Sequence, residues 1–233
     1  MRMSKKVSRA VVVPTIALSA LAMGSAVAFA ASSYNVTAGS APAGTVVNYT
    51  ATTTGASPHV TFTDTTSGTV LNCASASEPG TVKAGTNLSG TGIGTVAGAG
   101  TGWNTCTGPG GLSLTVTGSG SWGLNATGDT VVTAGVDDGK TPGSITGVSA
   151  HVSGDCDFDV TGSVDGSYTN GLKNSTGTLT LPGTSSTLTI SNVSGFLCGF
   201  AGIANGHSAS FEATYQVVAD NGAYNPIRII SNP

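Results

Sequence analysis

Ala209-Ser210-Phe211-Glu212-Ala213-Thr214-Tyr215-Gln216-Val217 sets small or apolar side chains at the odd positions and polar ones between them. A period of two places the sets on opposite faces of a pleated strand, whereas an amphipathic helix would repeat its apolar residues three and four apart. The stretch lies in the one long glycine-free run after residue 30, positions 207–221. Elsewhere glycine recurs too often for helices, since each one inside a helix costs about 1 kcal/mol relative to Ala. The reading is a β protein that needs no helix of any length.

The same alternation appears at 112–117 (LSLTVT) and 188–193 (LTISNV), with further candidate strands at 46–51, 59–64, 122–127, 144–152, 157–164 and 178–181. Pro142-Gly143, Asn170-Gly171 and Pro182-Gly183 supply the turn chemistry between them. About ten short strands, each with one apolar face, predict an all-β fold: an antiparallel β-sandwich or a closed β-barrel.

Residues 1–30 stand apart as a cleaved signal peptide. Arg2, Lys5, Lys6 and Arg9 precede an apolar stretch from Ala10 to about Ala22, and Ala28-Phe29-Ala30 offers the small-residue cleavage pattern. The remaining 203 residues carry four cations (Lys83, Lys140, Lys173, Arg228) against eleven acids, a net charge of −7. Such a chain cannot neutralise a phosphate backbone, so nucleic acid is excluded as a partner, and attraction to anionic lipid is disfavoured too. Gly, Ser and Thr make up 92 of the 203 residues, but the 34 Thr bring a β-branched preference that flexible linkers lack. One β domain is expected over 45–220, with two subdomains dividing near 137–143 as the alternative. A flexible arm is expected over 31–44, and 221–233 is left as a C-terminal tail.

Four cysteines in an exported chain predict two disulfides. Of the three pairings, Cys73 with Cys106 and Cys156 with Cys198 gives each half of the chain one bond. No Cys-x-x-Cys occurs and no two His sit at ligand spacing, so neither a metal nor a cofactor is expected. Asp155, Asp157 and Asp159 recur at every second position, with Val160 and Gly166 where a helix-loop-helix calcium site needs Gly and Glu. On a strand these acids share a solvated face, opposite Cys156, Phe158, Val160 and Val164. The nucleophile elbow, dinucleotide and Walker patterns are all missing, and His59, His151 and His207 could meet only through the fold. The chain reads as noncatalytic.

Two features remain. Gly90, Gly92, Gly94, Gly98, Gly100 and Gly102 strip side chains from part of the chain, which fits close approach by another backbone or a bulge. Trp103 and Trp122 flank the 112–117 strand; they either plug a core beside Cys106 or form an exposed platform that stacks on sugar rings.

The succession Gly90-Thr-Gly-Ile-Gly94, Cys106-Thr-Gly-Pro109, Leu124-Asn-Ala-Thr127, GSITGVSAHVSGDC (143–156), Asn174-Ser-Thr-Gly-Thr178 and ISNVSGFLC (190–198) resembles a family of small secreted proteins from Streptomyces and related actinobacteria. The resemblance covers roughly 60–220 and implies export, paired cysteines and a Gram-positive host, with no catalytic or binding residue attached. Residues and resemblance together predict an extracellular structural or surface-interaction component. A binder of carbohydrate or cell-wall polymer, using Trp103 and Trp122, is the alternative, and a membrane-inserting β-barrel the second alternative. The expected partner is a cell-wall glycan or another surface protein.

Overall fold

Residues that alternate in sequence lie in strands. A computed structural model describes residues 33–132, 139–172 and 175–232; the expected signal peptide and part of the expected division at 137–143 lie outside them. In chain order the strands are β1 (Ser33–Ala38), β2 (Val46–Thr53), β3 (Val60–Asp64), β4 (Thr69–Lys83), β5 (Gly85–Leu88), β6 (Gly94–Ala97), β7 (Gly102–Thr107) and β8 (Ser113–Gly118). They continue with β9 (Ser121–Ala126), β10 (Lys140–Gly154), β11 (Asp157–Thr169), β12 (Gly177–Pro182), β13 (Leu188–Ser194), the short helix α1 (Phe196–Ala201), β14 (Ser208–Ala219) and β15 (Ile227–Asn232).

Twelve of these strands form one antiparallel sheet that returns to its own beginning. Four staves are single long strands: β4, β10, β11 and β14. Four others are pairs of short strands laid end to end: β2 with β3, β6 with β7, β8 with β9, and β12 with β13. β2 and β3 pair with β4, β4 with β6 and β7, those with β9 and β8, and those in turn with β10. β10 then pairs with β11, β11 with β12 and β13, and these with β14. Finally β14 closes the ring on β2, through Tyr215↔Thr53 to Ala219↔Tyr49, and on β3, through Ala209↔Asp64 to Ala213↔Val60. Every step but the closing one joins staves that are neighbours in sequence, so the fold is an up-and-down meander closed into a barrel. Closure removes the unpaired edges that an open sheet would present.

The strand count exceeds the expected ten because β1, β4, β5, β6, β7 and β15 lie outside the stretches of clean alternation. One break has a clear cause. Pro79, on β4, cannot donate a hydrogen bond, and it lies opposite the excursion at 98–100 that separates β6 from β7, where no partner strand is present. Gly94 and Gly98 fit the close-approach reading, since a Cβ at either would run into the backbone of the adjacent stave, at Thr81 and Ser119 respectively.

Inward positions are apolar. Val47, Tyr49, Ala51, Val60, Leu71, Val82, Val96, Leu114, Trp122, Ile145, Val152, Phe158, Val160, Val164, Leu188, Ile190, Ala213, Tyr215 and Val217 are all buried. The alternate residues of the same strands are mostly hydroxyls and amides, such as Asn48, Thr50 and Thr52 on β2 or Thr161 and Ser163 on β11. A lipid-exposed barrel needs the reverse, with an apolar band outside. The wall therefore corrects the expectation that a membrane-inserting barrel could account for these Thr-rich strands.

A second sheet, β15-β1-β5, covers one end of the barrel. The expected flexible arm is corrected here: β1 buries Tyr34, Val36 and Ala38 and pairs along its length with β15, which lies in what was read as the tail. β15 is fastened to the barrel by the Tyr168 hydroxyl, which donates to the Ile227 carbonyl (2.8 Å), and by Asn170, which both donates to and accepts from Ile229 (2.9 and 2.7 Å). The arm's polar composition concealed an alternation, Tyr34-Asn-Val36-Thr-Ala38, that closes the core.

Candidate functional site

Among the described residues two acids are buried, Asp64 at the end of β3 and Glu78 on β4, and Glu78 is the one that lines a cavity of the barrel. Inward positions on β4 run Ala76, Glu78, Gly80 and Val82, so the strand's own period carries an acid into the core. Glu78 is 2% exposed, and its Oε1 accepts a hydrogen bond of 2.6 Å from the Tyr215 hydroxyl on β14. Burial disfavours the charged form and pushes its pKa up to about 7, against the smaller lowering effect of the Tyr215 hydrogen bond. Tyr49 packs over Gly80, where a Cβ would collide with its ring, and donates to the Thr95 carbonyl (3.0 Å). Burial first, and then the neighbouring Glu78, raise the pKa values of both Tyr49 and Tyr215.

Two cavities of about 70 Å³ each occupy the barrel, and Ile145 and Leu181 line both. The first lies towards the end covered by β15 and is bounded by Tyr49, Tyr168, Leu179 and Ile229. The second contains Glu78, enclosed by Phe62, Leu71, Trp103, Trp122, Phe211 and the cysteines of the first disulfide. Trp122 is 3% exposed and donates its indole N–H to the Ser119 carbonyl (2.9 Å). Trp103 stacks on it with ring centroids 6.2 Å apart, and its own Nε1 is buried without a hydrogen-bond partner. Both indoles line the second cavity, Trp122 buried and Trp103 half-buried, rather than forming the exposed sugar-stacking platform considered for them.

The cysteines join as Cys73–Cys106 and Cys156–Cys198. Cys73 and Cys106 are directly opposed on β4 and β7, while the second bond fastens α1 to the residue preceding β11. Gly202, with φ 75°, ends α1 in the left-handed conformation, and its N–H returns to the Cys198 and Gly199 carbonyls. One face of this single turn and a half is buried through Cys198 and Ala201; the other presents Phe196 and Phe200 at 92% and 78% exposure.

The remaining polar clusters hold the scaffold together. Asp159 bridges three staves on the outside, meeting His151 Nδ1 at 2.7 Å and accepting from Asn192 Nδ2 at 2.6 Å. The Asn192 bond, then His151, hold its pKa below the usual range. Asp155 accepts from the Ser113 amide (2.9 Å), so the three alternating acids are engaged separately on the outer side, with Phe158 and Val160 behind them. Asp64 ties the β3–β4 turn by accepting from the Thr66 and Ser67 amides (2.9 and 3.0 Å) and contacts His207 Nδ1 at 2.7 Å. Burial raises its pKa, but the bonds from His207, Ser67 and Thr66 outweigh it and leave the group lowered. His59, with Nδ1 buried and unpartnered, belongs to neither cluster, so the three histidines do not converge. Among the described residues no group of three or more His, Cys, Asp or Glu could hold a metal ion.

Sequence reasoning missed Glu78 and the two exposed Phe. Glu78-Pro79-Gly80 carries turn chemistry, which masked a strand; the signal that could have found it is the Ala76, Glu78, Gly80, Val82 alternation. No family model matches the chain, and neither a curated protein nor a solved structure matches it.

Proposed function

We propose that the chain is an exported, noncatalytic, disulfide-stabilised β-barrel that acts as an extracellular surface-interaction component and makes its contact through the end bearing Phe196 and Phe200. The observation that carries this reading is the exposure of two phenylalanines, four positions apart on one face of α1, on a helix tied to the barrel by Cys156–Cys198. A side chain of that size left in water forgoes about 1.5–3 kcal/mol of burial. A disulfide-anchored pair is thus a preorganised apolar contact, which loses little ordering entropy on binding. Two disulfides fit an oxidising compartment, and among the described residues no helix is long and apolar enough to cross a membrane. The resemblance to small secreted actinobacterial proteins points the same way.

The partner proposed is another surface protein. Phenylalanine has no polar handle with which to hold a sugar hydroxyl, and the two indoles that could stack on a glycan line the second cavity. Binding of the purified oxidised protein to intact cells of the producing organism tests this. Phe196→Ser with Phe200→Ser should abolish most retention, and protease treatment of the cells should do the same. Retention unchanged by the double substitution, or lost only when cell-wall glycan is digested, would overturn it.

A further inference from the structure

Charge is distributed unevenly about the helix that presents Phe196 and Phe200. The cations among the described residues sit away from it. Lys83 ends β4, Lys140 pairs with Thr169 at the end of β11, and Arg228 lies on β15, which Tyr168 and Asn170 fasten. α1 touches the opposite ends of the same strands. The Ala201 carbonyl accepts from the hydroxyl of Thr69, the first residue of β4. Ser194, two positions before Phe196, pairs with Asp157, the first residue of β11, and a Cβ at Gly195 would lie 3.5 Å from the Asp155 carbonyl oxygen. β11 is 13 residues long, so its ends stand about 40 Å apart, several times the ~8 Å over which salt screens a charge. Asp155 is exposed and Asp157 half-buried, and among the described residues neither forms an ion pair. They accept only from backbone, Asp155 from the Ser113 amide and Asp157 from the Gly154 amide (2.9 and 3.4 Å). The neighbouring acids already have partners: Asp159 meets His151 and Asn192, and the buried Asp64 meets His207.

We infer, resting on the contact made by Phe196 and Phe200, that the surface protein it meets presents a cationic, apolar segment, with an Arg or Lys side chain set against the carboxylates of Asp155 and Asp157. Apolar side chains of that segment cover the two phenyl rings and the exposed turn Pro109-Gly110-Gly111, which adjoins them: a Cβ at Gly110 would lie 4.0 Å from the Phe200 ring. Carboxylates beside exposed phenyl rings suit a cation in two ways, since it pairs with the acid and is attracted to the face of the ring. A phosphate-bearing surface would meet the two acids as like charges, with the described cations too distant to offset them. A neutral partner would leave the acids without a role in the contact.

Two synthetic amphipathic peptides with the same leucines, one carrying Lys and Arg and the other Glu, provide the probe for the oxidised protein, read by fluorescence anisotropy. Retention on intact cells of the producing organism is measured beside them, at about 50 and 500 mM NaCl. The cationic peptide should bind and the acidic one should not, and retention should fall as salt rises. Asp155→Asn with Asp157→Asn keeps the oxygens that accept from Ser113 and Gly154, and should weaken both readouts about fivefold. Asp155→Lys with Asp157→Lys should transfer the preference to the acidic peptide, an exchange that acids serving only the fold would not give. Equal binding of the two peptides, binding of neither, or binding to phosphatidylglycerol vesicles would overturn the cationic partner. So would retention that is lost with Phe196→Ser and Phe200→Ser but unmoved by salt or by either aspartate pair, although the phenylalanine contact would then stand. Retention indifferent to the phenylalanines would overturn the contact and the cationic partner together.

Discussion

At the scale of single residues, Glu78 controls how stability depends on pH. Its pKa is about 7 in the folded protein, against an unfolded value near 4.5. The folded state therefore holds the proton more tightly, and stability falls as pH rises between those values. From pH 5 to pH 8 the loss is about 2 kcal/mol, measurable as a lower urea midpoint. Glu78→Gln, which keeps the shape and a hydrogen-bonding oxygen for Tyr215, should flatten that dependence and be the more stable protein at pH 8. Asp64 works in the opposite sense: its lowered pKa contributes stability above about pH 4 that is lost in more acidic solution. Neither role was legible in the sequence. Asp64 sits beside a run of hydroxyl residues that reads as surface, and its partner His207 is 143 positions away.

At the scale of elements, α1 and the β15 end of the barrel are held by different devices. Away from β15, α1 is held by a covalent bond, Cys156–Cys198, and a second disulfide crosses the wall. In the chain-entropy account, replacing either cysteine pair by serine costs about 4 kcal/mol, seen as a fall in thermal midpoint. Only Cys156→Ser with Cys198→Ser should also release the amides of α1 to fast hydrogen exchange, because Cys73 and Cys106 join strands already paired. The β15 end depends on burial. Tyr34→Ala should cost about 3–5 kcal/mol and expose β15 as well as β1, since Tyr34 is 1% exposed and the strands pair from Ser33↔Asn232 to Ala38↔Ile227. If unfolding midpoints of the wild type and Tyr34→Ala coincide, β1 does not cover the core. Elements with clean alternation and bulky apolar residues, such as β8, β11, β13 and β14, could be placed from sequence. β4 and β7 could not: the irregular step between Cys73 and Ala76, and the positive φ of Thr105, shift the period part-way along each strand.

For the whole molecule, the sequence pattern required that apolar faces be buried together but left open whether two sheets or one closed ring would do it. What decides is pairing between residues more than 140 positions apart, between β14 and β2 or β3, which no local signal encodes. A barrel with an apolar interior and hydroxyls outside should remain soluble and leave liposomes intact. Leakage from dye-loaded vesicles on adding the oxidised protein would show instead that the strands can turn their apolar faces outward.

The most direct test is of the seam itself. Interstrand NOEs in the oxidised protein should connect β14 to β2 across Tyr215–Thr53, Val217–Ala51 and Ala219–Tyr49, and to β3 across Ala209–Asp64 and Phe211–Phe62, with slow-exchanging amides on both sides. Their absence, with β14 and β2 exchanging as free edges, would mean that the sheet does not close.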